Sequence, residues 1–139
     1  MHLKGRCFCG SVSYQLNFDG EPIFEALCHC SHCQRWSGTA FVSAMLVPKE
    51  ALKLEGEIQY FEHKGGSGHD LKRGFCPKCG GHILLWTTKR PNGVMIMAGS
   101  LDDPSAFRPT MNIFCRSAQE HMWHLGALKQ FDGAPTPSG

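Results

Sequence analysis

Alternation of polar and apolar residues predicts β-strands along much of the chain. The clearest example is the segment 11–16, Ser-Val-Ser-Tyr-Gln-Leu, in which every second residue is apolar, as in a half-buried strand. Segments rich in branched and aromatic residues predict further strands at 39–47, 58–61, 81–86 and 94–98. We therefore expect a mainly β fold.

Helical signals are short. A proline begins the segment 48–52, and Asp103 precedes another proline as a possible helix cap. A third short helix is predicted from Ser31, because Ser31 and Gln34 have capping-box spacing and Gly38 is a stop signal. The glycine-rich segment 65–68 predicts a mobile hairpin loop between strands.

The length of 139 residues fits one domain, which we predict to cover 3–132, with a disordered tail at 133–139. The 14 Lys and Arg residues nearly balance the 12 Asp and Glu residues, so we expect no nucleic-acid partner. No apolar run reaches the ~20 residues of a membrane span. The N-terminus also lacks the apolar run of a signal peptide, and we expect a soluble, cytoplasmic protein without a membrane partner.

Seven of the eight cysteines form three clusters with the spacing of metal ligands. The two separated pairs, Cys7 with Cys9 and Cys76 with Cys79, together supply the four thiolates of a closed structural zinc site. An even cysteine count also fits a disulfide framework. The ligand spacing and the absence of a secretion signal favour metal binding instead.

The triplet Cys28, Cys30 and Cys33 is the second metal site that the sequence predicts. Three protein ligands leave a fourth position open, as in catalytic zinc sites, where water or a substrate thiol can bind. Several side chains of this chain could instead close the site: His29, His32 or Cys115. The sequence allows both the open and the closed form of the site.

Four segments carry a resemblance to the glutathione-dependent formaldehyde-activating enzyme family, whose domain is shared with centromere protein V. They are 5–10, 28–35, 75–80 and 98–104, and they occur in family order. The resemblance implies an Mss4-like fold of antiparallel β-sheets around a structural zinc. It also implies two Zn²⁺ per chain. One is structural, at Cys7, Cys9, Cys76 and Cys79, and one is catalytic, at Cys28, Cys30 and Cys33.

The activity implied by the resemblance is that of a carbon–sulfur lyase working in reverse. Glutathione, or a related thiol, adds to formaldehyde or a small aldehyde and gives an S-hydroxymethyl adduct. Arg35 and Arg73 are the candidates for binding a substrate carboxylate, and Asn112 is a further substrate contact where family members often carry a histidine. The alternative function is a non-catalytic zinc-binding interaction module with a closed or empty triplet.

Overall fold

Strands dominate the regular structure in the computed structural model of the chain, which describes residues 1–66 and 68–135. The strands in these residues are β1 (His2–Arg6), β2 (Ser13–Asn17), β3 (Phe24–Cys28), β4 (Val42–Pro48), β5 (Leu52–Glu55), β6 (Gln59–Lys64), β7 (Asp70–Phe75), β8 (His82–Thr87), β9 (Gly93–Met97) and β10 (Met111–Ile113). They are accompanied by the helix α1 (Ser31–Ser37) and by 3₁₀ segments at Lys49–Ala51, Ala98–Ser100, Pro104–Ala106, Cys115–Ser117 and Glu120–Ala127. The prediction of a mainly β fold with a few short helices is confirmed.

The strands form two sheets. The smaller has the order β1-β2-β5, and the larger has the order β10-β3-β4-β9-β8-β7-β6. Neighbouring strands are antiparallel throughout, except that β10 runs parallel to β3. The antiparallel prediction therefore has one exception, at an edge of the larger sheet.

The main hydrophobic core contains residues from both sheets. Tyr14 of β2, Met45 of β4 and Ile96 of β9 are each almost completely buried in it. Cys7 and Cys76 belong to the same core cluster. A second and smaller buried cluster is formed by Cys28, Cys33 and Val42. The two separated cysteine pairs and the triplet thus lie in different parts of the hydrophobic interior.

The predicted strand segments contain most of β2, β4, β8 and β9 and half of β6. The prediction missed β1, β3, β5, β7 and β10. In β7 the alternation is regular, with Leu71 and Arg73 buried and Asp70 and Lys72 exposed. Because a charged residue occupies an inward position, the polarity pattern conceals this strand. The glycine-rich segment 65–68 joins β6 to β7 as predicted, although Ser67 lies outside the described residues.

The helix α1 begins and ends at the predicted positions, but its cap differs from the prediction. Cys30 is the N-cap, and its Sγ accepts a hydrogen bond from Cys33 N at 3.2 Å. The capping box of Ser31 and Gln34 is wrong, because the Gln34 amide donates to carbonyl oxygens outside the helix instead. Gly38 ends the helix with φ 71°, a left-handed conformation that favours glycine.

The other two helical predictions correspond to single turns. The segment 48–52 contains one 3₁₀ turn, Lys49–Ala51, and then continues as β5. Asp103 is a cap as expected, since its carboxylate accepts from Ser105 N at 3.1 Å.

The predicted tail at 133–139 lies partly outside the described residues, which end at 135. Residues 133–135 contain neither helix nor strand. The single domain and the disordered tail stay predictions. Within the described residues, no helix has both the length and the apolar character needed to cross a membrane.

Candidate metal centres and active site

The two separated cysteine pairs meet in space and form a set of four thiols. The sulfur atoms of Cys7, Cys9, Cys76 and Cys79 all lie within 4.8 Å of one another. Cys7 Sγ is 3.7 Å from Cys9 Sγ, and Cys9 Sγ is 3.8 Å from Cys76 Sγ. We call this group the closed set, because it supplies the four ligands of a tetrahedral zinc site.

Backbone N–H groups point at the sulfurs of the closed set. Val12 N lies 3.3 Å from Cys7 Sγ, and Gly81 N lies 3.4 Å from Cys79 Sγ. A Cβ atom at Gly81 would be only 3.3 Å from Cys79 Sγ, so a side chain there would crowd the cluster. These contacts stabilise negative charge on the sulfurs, which fits metal-bound thiolates.

Charge stabilisation is evident at Cys9. The Ser11 hydroxyl lies 3.2 Å from Cys9 Sγ, and this contact, with the Ser11 backbone N–H, lowers the pKa of Cys9 to about 6. Thiolate is the form of cysteine that binds metal. The environment of the closed set therefore favours the ligand form.

The triplet also forms a compact group. The sulfurs of Cys28, Cys30 and Cys33 lie within 4.8 Å of one another, and Cys33 Sγ is 3.5 Å from Cys28 Sγ. Cys28 ends β3, Cys30 caps α1 and Cys33 lies in the first helical turn. The short loop between the strand and the helix thus brings the three thiols together. Cys28 and Cys33 are buried, whereas Cys30 is partly exposed.

Negative charge in the triplet is concentrated on Cys30. Hydrogen bonds from the thiols of Cys28 and Cys33 lower the pKa of Cys30 to about 2. The pKa of Cys28 is raised, first because its thiol donates to Cys30.

No fourth ligand joins the triplet from the described residues. Within residues 1–66 and 68–135, no additional His, Cys, Asp or Glu ligand atom lies within 4.8 Å of all three sulfurs. His29 is buried, but its Nε2 is 2.8 Å from Asn112 Oδ1. His32 is exposed on α1, and Cys115 is exposed on a 3₁₀ turn. The geometry therefore corresponds to the open form of the predicted site.

Both groups have donor sets that fit zinc. Four thiols fit a structural site, and three thiols fit a site with an exchangeable fourth position. Soft sulfur ligands favour zinc over magnesium and calcium, which prefer oxygen ligands. Metal binding by both groups is thus compatible with the chemistry of the residues present.

The two arginines predicted to bind substrate have different environments. Arg35 is exposed on α1. Arg73 is only 5% exposed on β7, where its Nε donates to His63 Nε2 at 2.9 Å. The hydrogen bonds from Cys28 and Cys33 have the larger effect on the pKa of Cys30, and the positive charge of Arg73 lowers it further. Arg73 therefore belongs to the surroundings of the triplet.

Asn112, the third predicted substrate contact, bonds to a residue of the triplet loop. Its Oδ1 accepts from His29 Nε2, and the His29 ring packs against Phe41 and Trp123, with ring centroids 5.6 and 5.8 Å away. Within the described residues, His29 Nδ1 is buried without a hydrogen-bond partner. The sequence did not reveal this pairing, because β10 reaches β3 from 83 residues further along the chain.

A group of stacked rings beside the triplet was also missed. This ring cluster contains Trp36, Phe61, His63, Phe75 and His82. Trp36 is its centre, with its ring centroid 4.8 Å from that of His82 and 5.9 Å from that of Phe61. Two sequence signals could have indicated it. Trp36 lies one helical turn after Cys33, and Phe61 and His63 share one face of a strand.

Residues 99–102, within the segment 98–104 that carries part of the family resemblance, line a cavity of about 700 Å³ together with Arg6, Phe8 and His82. The cavity borders Cys7 of the closed set, and none of the triplet cysteines lines it. His82 connects the cavity wall to the ring cluster through its stacking on Trp36. We place the candidate active site at the triplet, because the open set of ligands lies there.

Comparison with known proteins supports the fold and identifies the family. A solved structure described as "Crystal structure of Rhodobacter sphaeroides protein", a structural-genomics target, is similar with a TM-score of 0.60 and 20% identity, over 79% of this chain and 99% of that chain. At this identity the similarity supports the fold. No curated protein is significantly similar in sequence. The family model "Glutathione-dependent formaldehyde-activating enzyme" matches residues 2–117, and these residues include both cysteine groups. The chain therefore belongs to the glutathione-dependent formaldehyde-activating enzyme family.

Proposed function

We propose that the protein is a zinc-dependent carbon–sulfur lyase that adds glutathione, or a related thiol, to formaldehyde or a small aldehyde. The observation that carries this proposal is the triplet, whose three sulfurs lie together without a fourth side-chain ligand from the described residues. Membership of the family supports a glutathione-related substrate. In the proposal, Cys7, Cys9, Cys76 and Cys79 hold a structural zinc, and Cys28, Cys30 and Cys33 hold a catalytic one.

The residues of the triplet loop would hold and orient the reacting groups. A zinc ion bound there would supply affinity for a thiol sulfur and a lower pKa for that thiol. The strand-to-helix loop brings the three cysteines together, and Asn112 orients His29, which lies between Cys28 and Cys30 in the sequence. Arg35 is exposed and can bind a carboxylate of a peptide thiol, whereas the burial of Arg73 indicates a different role.

The reaction balances without an additional reactant. The thiol loses its proton, its sulfur forms a bond with the carbonyl carbon, and the carbonyl oxygen gains a proton. The product is the S-hydroxymethyl adduct, and the reverse reaction releases the aldehyde.

The activity can be tested by measuring exchange between glutathione, formaldehyde and the adduct by NMR. We expect the purified zinc protein to increase the exchange rate above that of the uncatalysed reaction. Cys30→Ala should abolish this increase. Cys115→Ala is a matched control, since Cys115 is exposed and does not belong to either cysteine group, and it should keep wild-type activity.

Two results would contradict the proposal. The first is exchange no faster than the uncatalysed reaction in protein shown to hold two zinc ions. The second is equal activity in wild type and Cys30→Ala. Replacing glutathione by free cysteine in the same assay tests the thiol carrier. A strong preference for glutathione would support recognition of the peptide carboxylates.

The alternative of a non-catalytic zinc-binding module has less support. It requires a closed or empty triplet, and the described residues bring no fourth side chain to the three sulfurs. Metal analysis distinguishes the two functions. The enzyme proposal predicts two zinc ions per chain, one of which is lost in Cys30→Ala, whereas an empty triplet predicts one zinc ion in both proteins.

A further inference from the structure

Arg73 is a buried cation with an unusual set of neighbours. It is only 5% exposed, its Nε donates to His63 Nε2, and its Cζ lies 5.8 Å from the centre of the Trp36 ring. Neither neighbour carries negative charge. Among the described residues, the ion pairs involve Lys64, Lys72 and His124, and none involves Arg73. A buried guanidinium destabilises the folded state unless a negative charge compensates it.

His63 holds the guanidinium in position without compensating its charge. Arginine can only donate hydrogen bonds, so His63 Nε2 must be the unprotonated nitrogen. The other ring nitrogen, Nδ1, lies 3.1 Å from the carbonyl oxygen of Lys64 and donates to it. Both nitrogens of a neutral imidazole are thus used. The negative charge that Arg73 needs has to come from another group.

The triplet is the group that can supply this charge. Arg73 lies next to the triplet, because its guanidinium packs over the Trp36 ring and Trp36 follows Cys33 on α1 by one turn. A positive charge at this position favours the thiolate forms of the neighbouring cysteines. Three thiolates around a divalent ion leave one negative charge in excess. One buried guanidinium balances it.

We propose that Arg73 is a positioning residue that balances the charge of the three-thiolate site, and that His63 fixes its orientation. This inference rests on the proposed metal site at the triplet. A fourth sulfur that enters as a thiolate adds another negative charge, and Arg73 lowers the electrostatic cost of that charge. The same residue would therefore favour both metal retention and thiol binding.

Two substitutions of Arg73 distinguish the effect of its charge from that of its hydrogen bond to His63. Arg73→Gln removes the charge but keeps an N–H donor for His63, whereas Arg73→Lys keeps the charge. Metal affinity is measured by competition of the zinc protein with a chromophoric chelator. Loss of a residue that supports metal ligands typically weakens metal binding about 10- to 100-fold. We expect a loss of this size at the triplet in Arg73→Gln and much less in Arg73→Lys. An unchanged affinity in Arg73→Gln, or equal losses in both variants, would overturn the inference.

The matched control uses Cys30→Ser, in which only the closed set should retain zinc. Adding Arg73→Gln to Cys30→Ser should leave the affinity of the remaining zinc unchanged. Equal weakening there would show that Arg73 acts through the whole fold and would overturn the inference. If Cys30→Ser and wild type bind the same amount of zinc, the metal site itself is wrong. That result contradicts the proposed function before any Arg73 variant is compared.

A third variant, His63→Phe, tests the same inference if Arg73→Gln does not fold. His63→Phe keeps the ring beside Phe61 but removes the acceptor that orients Arg73. We expect His63→Phe to weaken zinc binding at the triplet more than Arg73→Lys does. The opposite order would overturn the inference.

Discussion

At the scale of single residues, Asn112 acts through His29. His29 is 1% exposed, and Asn112 Oδ1 is its hydrogen-bond partner at 2.8 Å. Asn112→Ala leaves the buried His29 Nε2 unpaired. We expect a loss of ~1–3 kcal/mol in the free energy of unfolding, measured with denaturant, because an unpaired buried donor loses its solvation without compensation.

The chain provides a matched control for this substitution. Asn17 Oδ1 lies 3.2 Å from His2 Nδ1 in a pair of the same kind that is exposed to solvent. Because water can replace that contact, Asn17→Ala should change the free energy of unfolding by less than ~0.5 kcal/mol. Equal losses in the two variants would mean that the burial of His29 does not determine the effect.

The burial of Tyr14 predicts how the free energy of unfolding depends on pH in the alkaline range. Its ring is 2% exposed and its hydroxyl lies 2.8 Å from Ser100 Oγ. Burial raises the pKa of Tyr14 to about 12, whereas the pKa of an unfolded tyrosine is about 10. Below pH 10 both states are protonated. Between about pH 10 and about pH 12 the unfolded state releases its proton first, so the free energy of unfolding falls by about 2–3 kcal/mol as pH rises.

The comparison of wild type with Tyr14→Phe isolates this contribution. Denaturant unfolding on either side of the pH window should show a smaller loss in Tyr14→Phe than in wild type, although the variant starts less stable without its bond to Ser100. Parallel pH profiles of the two proteins would show that Tyr14 does not ionise on unfolding.

At the scale of elements, sequence patterns predict what is local. The end of α1 at Gly38 follows from a local stop signal, and β2 follows from alternation over a few residues, whereas the N-cap of α1 was assigned to the wrong residue. The strands β1 and β7 do not follow from such local patterns. Both contain several polar residues, and they form strands by pairing with β2 and β8. The candidate site divides in the same way. Spacing predicts both cysteine groups, but the contacts of Arg73 and Asn112 depend on strands that meet from distant parts of the chain.

The strand β1 is held to the segment 98–104 by close backbone packing at Gly5. Gly5 forms an isolated bridge with Leu101, and Asp102 N donates to Lys4 O at 2.9 Å. A Cβ atom at Gly5 would lie 2.2 Å from the Tyr14 ring and 2.6 Å from Ser100 O. Gly5→Ala should therefore lower the free energy of unfolding by ~1–3 kcal/mol through overpacking.

Gly99→Ala is the control for this prediction, since a Cβ atom at Gly99 meets no atom within 4 Å. Its effect should stay within ~0.5 kcal/mol in the same denaturant experiment. A tolerated Gly5→Ala would contradict the view that β1 depends on this close approach.

At the scale of the whole molecule, the closed set connects the two sheets. Cys7 follows β1 of the smaller sheet and Cys76 follows β7 of the larger one, and both cysteines are buried in the main core. A metal ion at this position would join the sheets across the interior. The triplet lies in the separate small cluster between β3 and α1. Loss of its metal would leave the main core intact.

These positions predict different consequences of losing each metal. Structural zinc contributes ~10–16 kcal/mol of apparent binding energy, which is comparable with the ~5–15 kcal/mol of net stability of a whole domain. Cys76→Ala should therefore lose zinc and unfold. Cys30→Ala should lose one zinc and stay folded. Metal content by elemental analysis, together with circular dichroism of the same samples, tests both statements. Collapse of both variants to the same extent would show that the triplet also holds the fold together, and a folded Cys76→Ala would show that the sheets do not need the closed set.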